Sequence, residues 1–249
     1  MKILIIRHAD PDYEADSLTE QGWKEAGLLA ERISAMDIAR FYVSPLGRAK
    51  DTASLTLKKM KREAEECQWL REFAPVIRRP DKEGMSITWD WLPQDWTMDA
   101  DFYDKQAWME HAVMKGGNVA EEYTWVVDSL DQLLERHGYV REGNYYRVLH
   151  SNMDTIAFFC HFGLECVLLS HLIGVSPMVL WHGTCAAPSS VTTIVTEERR
   201  QGIASFRMSS FGDVSHLIMA GEQPSFSARF CECFENVHER HDKTKKNQT

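Results

Sequence analysis

Lys2-Ile3-Leu4-Ile5-Ile6-Arg7-His8-Ala9-Asp10-Pro11 is the stretch on which the reading of this chain turns. An aliphatic run without polar interruption is the pattern of a strand buried on both faces, and Asp10-Pro11 ends it. Arg7 and His8 therefore stand where the strand emerges. Ligands of open parallel α/β sheets bind at the carboxyl ends of the strands. A cation beside an imidazole at that edge suits an anion together with a nucleophile or base, although a strand-end pair facing water has the same local sequence.

Working outward, Thr19 is placed to cap a helix whose apolar face runs through Trp23, Ala26, Leu29, Ala30 and Ile33. Ala39 to Val43 reads as a second strand, followed at Ser44-Pro45-Leu46-Gly47-Arg48 by a helix reaching about Ala64. The alternation of strand and helix predicts a parallel sheet. Arg48 falls in the first turn of its helix, where amide N–H groups favour a bound anion. A third strand is expected over Cys67 to Leu70, before Arg71-Glu72-Phe73.

From Pro75 to Lys115 the pattern turns irregular, with Trp89, Trp91, Trp96 and Trp108 too erratic for one helix face. This segment is read as a lid with its own small core, its tryptophans mainly structural. Val119 to His137 is an amphipathic helix stopped by Gly138. Tyr145 to Leu149 is extended, Thr155 to Cys160 is a buried strand ending at His161-Phe162-Gly163, and Glu165 to Ile173 is a helix. Ser189 to Thr196 is expected to pair with Ile203 to Met208, and a last helix covers Phe226 to Val237. The expected organisation is one α/β domain over residues 1–237, a three-layer α/β/α sandwich with a mainly parallel sheet and a lid at about 75–115. A polar tail, 238–249, is expected to be disordered.

Composition narrows the function. The chain has 249 residues and a net charge of -9, against the basic excess that a general nucleic-acid clamp brings. The apolar segment Thr155 to Gly174 nearly matches a membrane span, but His161, Glu165 and His171 would be costly in lipid. The run Ile3 to Ile6 is too short for a signal peptide, and the six cysteines are irregularly spaced. A cytoplasmic protein with reduced thiols, no membrane partner and no nucleic-acid partner is expected.

Arg7, His8, Arg48, Glu72 and His161 all fall on one edge of such a sheet: an anion cage with a carboxylic acid at its rim, suited to phosphoryl transfer. These residues resemble the histidine phosphatase superfamily, the phosphoglycerate mutase-like family. Its Arg-His-Gly stands here as Arg7-His8-Ala9, and its Leu-Thr-x-x-Gly as Leu18-Thr19-Glu20-Gln21-Gly22. Its Ser-Pro-Leu-x-Arg-Ala-x-x-Thr-Ala is matched from Ser44 to Ala53, its Leu-Arg-Glu by Leu70-Arg71-Glu72, and its strand ending in His-Gly by Phe158 to Gly163. The resemblance implies phosphomonoester hydrolysis of a small phosphorylated metabolite through a phosphohistidine on His8. Arg7, Arg48 and His161 would hold the phosphoryl oxygens, and Glu72 would be proton donor and then base. It implies no metal and no cofactor.

Several positions depart from the family pattern. Ala9 replaces Gly, Phe162 separates His161 from Gly163, and Glu14 stands near the position of a frequent Asn. The Gly- and Glu-rich stretch of mutases is replaced by Phe73 to Arg79, which favours hydrolysis over mutase-type phosphotransfer. Arg78, Arg79 and His182 are candidates for substrate binding, and His150 is a lesser one. Asp81, Glu83 and Asp90 compete with Glu72 for the acid role. A non-catalytic phosphoester-binding protein would have no need of Glu72. A zinc site from Cys231, Cys233, His238 and His241 is a further alternative, with cramped spacing.

Overall fold

In the computed structural model, which describes residues 1–227 and 232–236, an eight-stranded sheet runs through the molecule. Its strands are β1 (Lys2–Arg7), β2 (Arg40–Val43), β3 (Glu65–Glu66), β4 (Tyr139–Glu142), β5 (Tyr145–Val148), β6 (Thr155–Cys160), β7 (Val191–Arg200) and β8 (Ile203–Asp213). Their order is β3-β2-β6-β1-β7-β8-β5-β4. The pairs from β3 to β1 are parallel and the rest antiparallel, so only β7 and β5 run against the other strands. The sheet is thus mixed and mainly parallel in direction.

The continuous apolar run of β1 is explained by helices on both faces. Leu4 and Ile6 pack with Leu29 and Ile33 of α1 (Glu20–Ser34) and Ala53 of α2 (Gly47–Met60). Ile3 and Ile5 join the opposite cluster with α3 (Val119–Arg136) and α4 (Phe162–Ile173). Alternate residues of one strand thereby serve two cores. Thr19 caps α1 by accepting the Gly22 N–H at 3.0 Å. Trp23 falls off the buried stripe of α1, and Glu25 is buried instead.

The expected strand Cys67 to Leu70 is corrected. Pairing ends at Glu65–Glu66, and Gln68–Leu70 is a 3-10 turn. Trp69 and Leu70 are both buried, which a turn permits and the alternation of a strand opposes. Helix α4 starts at Phe162 rather than Glu165. The hairpin β4–β5 and a short helix α5 (Pro177–Gly183), capped by Ser176, were not legible in the pattern. The last helix expected, Phe226 to Val237, is absent from its described residues; a short helix lies earlier, at Ser215–Met219. The rest of that segment and the tail 238–249 lie outside the described residues. Among the described residues no helix is long and apolar enough to cross a membrane.

The Pro75 to Lys115 excursion contains a two-stranded hairpin, Val76–Ile77 with Ser86–Ile87, and several short helices. It has no separate core. Trp89, Trp91, Trp96 and Trp108 are buried in the same cluster as β1, β6, α3 and α4. Trp108 meets Tyr123 of α3 and Trp181 of α5 edge-on, at centroid distances of 5.3 and 5.6 Å. Trp108→Ala is therefore expected to cost about 3–5 kcal/mol in urea unfolding, with the excursion and the sheet lost in one transition. A loss under about 1 kcal/mol would mean that the excursion packs independently.

Candidate active site

Parallel pairing of β1 with β6 sets Arg7 opposite Cys160, so the next residues, His8 and His161, emerge side by side. Their ring centroids are 5.1 Å apart. The neighbouring strand β2 is followed directly by Ser44, whose hydroxyl lies 2.7 Å from His161 Nε2. Arg48 follows in the first turn of α2, and its guanidinium lies over the Tyr13 ring at 5.4 Å. Arg7 is buried, bonded to the Ala186 carbonyl and held over the Phe162 ring at 5.8 Å. Glu72 arrives from beyond the 3-10 turn, with Oε1 accepting the N–H groups of Phe73 (2.9 Å) and Leu164 (3.0 Å). The five expected residues thus converge on one edge. Gly163 allows it: a Cβ there would meet Glu72 Oε1 at 2.7 Å and Trp89 Nε1 at 2.6 Å.

Burial and the arginines define the protonation states. Burial, then Arg7, pushes His8 well below the usual histidine range, and burial, then His8 and the arginines, does the same to His161. Both rings are neutral at pH 7. A carbonyl can only accept, so the 2.8 Å contact of His8 Nδ1 with Ala9 O makes Nδ1 the donor. Nε2 then keeps its lone pair. Burial raises Glu72, against the pull of its two N–H donors, Arg7 and Arg48, so the acid keeps its proton to higher pH than an ordinary carboxyl. Arg48 Nε and His161 Nδ1 are buried without a hydrogen-bond partner among the described residues. Such groups each cost about 1–3 kcal/mol unless a ligand satisfies them.

The departures from the family pattern have structural answers. Ala9 is buried with Leu18 and Ala26, and its N–H bonds to Thr52 Oγ1 at 3.0 Å, so the extra methyl has room. Glu14 is exposed. The acid that reaches the cage is Asp16, which the sequence reading missed. It holds Arg48 at 2.6 Å and the Gly47 N–H at 2.7 Å. Burial would raise Asp16, but these donors hold it below the usual carboxylate range. Gly47 is needed there, since a Cβ would lie 2.0 Å from Asp16 O. Ser44 was likewise not singled out; its place one residue beyond a strand was the available signal.

Of the three expected substrate-binding residues, Arg79 and His182 are engaged by other partners. Arg79 is buried, paired with Asp81 and bonded to the carbonyls of Trp89 (2.5 Å) and Asp90. It is a structural cation, and the same pair occupies Asp81, one rival to Glu72. Arg78, just beyond the hairpin strand Val76–Ile77, is exposed, and burial alternates along Val76 to Arg79. His182 donates from Nδ1 to Met178 O (2.7 Å), accepts the Trp91 N–H at Nε2 (3.0 Å) and stacks on Trp96. Burial lowers it to about 4. It ties the excursion to α5. Of the other lesser candidates, Glu83 and His150 are exposed, and Asp90 lies 3.7 Å from Lys82. Of the alternative zinc ligands only Cys233 is described, and it is exposed.

The fold and this cage define an α/β protein that gathers paired histidines and arginines at the carboxyl edge of its sheet. The chain belongs to the histidine phosphatase superfamily: the model of its branch 1 matches residues 3–208. Solved structures share the fold at low identity. "Mycobacterial hydrolase 1" is 19% identical, with a TM-score of 0.56 over 85% of this chain and 98% of that one. Phosphoserine phosphatase from Entamoeba histolytica, in complex with 3-phosphoglyceric acid, is 18% identical, with a TM-score of 0.56 over 87% and 98%. A mycobacterial glucosyl-3-phosphoglycerate phosphatase complexed with VO3 is 20% identical, with a TM-score of 0.52 over 84% and 98%. A search of curated proteins finds no significant match.

Two measurements check the site. The His8 resonances are expected to show no titration between about pH 6 and 8 by NMR, whereas a midpoint at or above the ordinary 6.5 would contradict the neutral ring. Arg79→Ala, which strands Asp81, is expected to cost about 3–5 kcal/mol in unfolding, and Arg78→Ala less than about 0.5 kcal/mol. Equal effects would contradict the structural assignment of Arg79.

Proposed function

We propose that the protein hydrolyses phosphomonoesters of small metabolites through a covalent phosphohistidine on His8. The observation that carries this reading is a neutral imidazole with Nδ1–H committed to Ala9 O, set among Arg7, Arg48 and His161. A phosphate-binding protein has no use for such a nucleophile beside a carboxyl shifted toward its protonated form.

In the first displacement His8 Nε2 attacks phosphorus as the ester oxygen leaves, and Glu72 gives that oxygen its proton. In the second, water attacks phosphorus, Glu72 takes a proton from it, and His8 leaves neutral. Arg7, Arg48 and His161 carry the negative charge on the equatorial oxygens, where fixed donors in a buried site are most effective. Desolvation of His8 strips the nucleophile of solvent, and the nearby guanidinium groups oppose its protonation between turnovers.

Hydrolysis is preferred to mutase-type transfer because a mutase must seat a second anionic group, and the described buried cation of the excursion, Arg79, is spent on Asp81. Two of the structural neighbours are named as phosphatases of phosphoserine and of glucosyl-3-phosphoglycerate, which supports the same class. With charge stabilisation assigned to side chains, chelators are expected to leave turnover unchanged.

His8→Ala is expected to lower turnover of an aryl phosphate by about 10⁴-fold or more, whereas parent-like activity would remove His8 from the nucleophile's role. Glu72→Gln is expected to cost about 10²–10⁴-fold on alkyl phosphates and far less on aryl phosphates, whose leaving groups need no proton. Equal losses on both would assign the acid elsewhere.

A further inference from the structure

One buried acid has no part in this scheme. Glu165 lies in the first turn of α4, its N–H bonded to the carbonyl of His161 at 2.9 Å, and it is 1% exposed. A carboxyl removed from water costs several kcal/mol unless it is neutral, paired or hydrogen-bonded. Yet neither oxygen of Glu165 has a hydrogen-bond partner among the described residues. The Thr192 hydroxyl bears on it without a well-formed bond, while accepting the Gly212 N–H at 2.9 Å.

The charged and titratable groups that act on it are Arg7 of β1, Glu72, Cys160 of β6 and Cys166 of its own helix. Arg7, at the end of β1, attracts its anionic form, and Glu72 repels it whenever Glu72 is itself ionised. Cys160 of β6 and Cys166 of α4 are buried thiols whose ionisation is opposed by burial and by Glu165 itself, so both are neutral at pH 7. Burial, relieved in part by Thr192 and Arg7, leaves the carboxyl at about 7. The acid can therefore exist in either form where the enzyme works. The two forms make opposite demands on Arg7: the neutral one leaves the guanidinium's charge to the site, and the ionised one draws on it.

We propose that Glu165 is a positioning residue for the oxyanion cage, whose proton determines whether Arg7 is fully available to a bound phosphoryl group. The inference rests on the reading of Arg7 as a phosphoryl ligand. A dianion at the cage and a carboxylate at Glu165 compete for one buried cation, so each disfavours the other. Binding the dianion favours protonated Glu165, and raising the pH through 7 weakens the dianion's hold.

Sulfate is the suitable probe, because its charge is constant from pH 5.5 to 8.5. Its competitive inhibition constant against an aryl phosphate is compared for the parent protein, Glu165→Gln and Glu72→Gln. The parent and Glu72→Gln are expected to bind sulfate about tenfold more weakly across that range, and Glu165→Gln to show a much flatter profile. Parallel profiles for the parent and Glu165→Gln would overturn the role of Glu165. Absence of sulfate inhibition in the parent would instead overturn the phosphoryl cage, and the inference with it. Should Glu165→Gln fail to fold, calorimetry of Glu72→Gln in two buffers of different ionisation enthalpy decides the matter. Net proton uptake on binding sulfate at pH 7.5 supports the proposal, and no uptake overturns it.

Discussion

The pairing of β1 with β6 is the constraint on which the rest of the structure depends. In-register parallel pairing sets Arg7 against Cys160, and the two chains leave the sheet carrying His8 and His161 as neighbours. Both strands are buried on both faces, so a slip by one residue would send each apolar side chain to the opposite core. The two cores lock the register, and the register brings the histidines together. Everything else in the site is delivered to that point: Arg48 by a helix following the next strand, Glu72 by a 3-10 turn, and the N–H of Leu164 by the start of α4.

The chemistry follows from burying these groups together. Imidazolium at His8 would face both Arg7 and the loss of water, so the ring stays neutral. The same burial acts on Glu72 in the opposite sense, so it holds its proton to higher pH than an ordinary carboxyl. With both rings neutral and Glu72 shifted toward its neutral form, the fixed charges among these groups are Arg7 and Arg48 against Asp16. The cage is thus net positive on a chain whose overall charge is -9. One environment thus disfavours charge on both the imidazole and the carboxyl.

Much of this was legible in the sequence because strands and helices announce their ends. Asp10-Pro11 stops β1, Thr19 caps α1, and Gly138 adopts a positive φ of 91° after α3. Residues just beyond such ends could be assigned to one edge, and that placed Arg7, His8, Arg48 and His161. What failed was whatever depends on tertiary pairing. Its charge made Arg79 a candidate for substrate and its loop near the sheet edge made His182 one, but Asp81 and backbone carbonyls claim the first and the Trp91 N–H, far away in sequence, the second. The tryptophans of the excursion lack a helical period because they fill gaps in a shared core. Asp16 was hidden for a related reason: its role comes from a turn at a φ of 47° that brings it to Arg48, and no spacing encodes that approach.

The central claim is that the phosphoryl group passes through His8. Rapid quenching of the parent protein during turnover of a phosphate-labelled ester tests it most directly. The account predicts a label that survives alkali, is lost in acid, and maps by mass spectrometry to the peptide containing His8. A label on another residue, or none at any time before product forms at full rate, would contradict it.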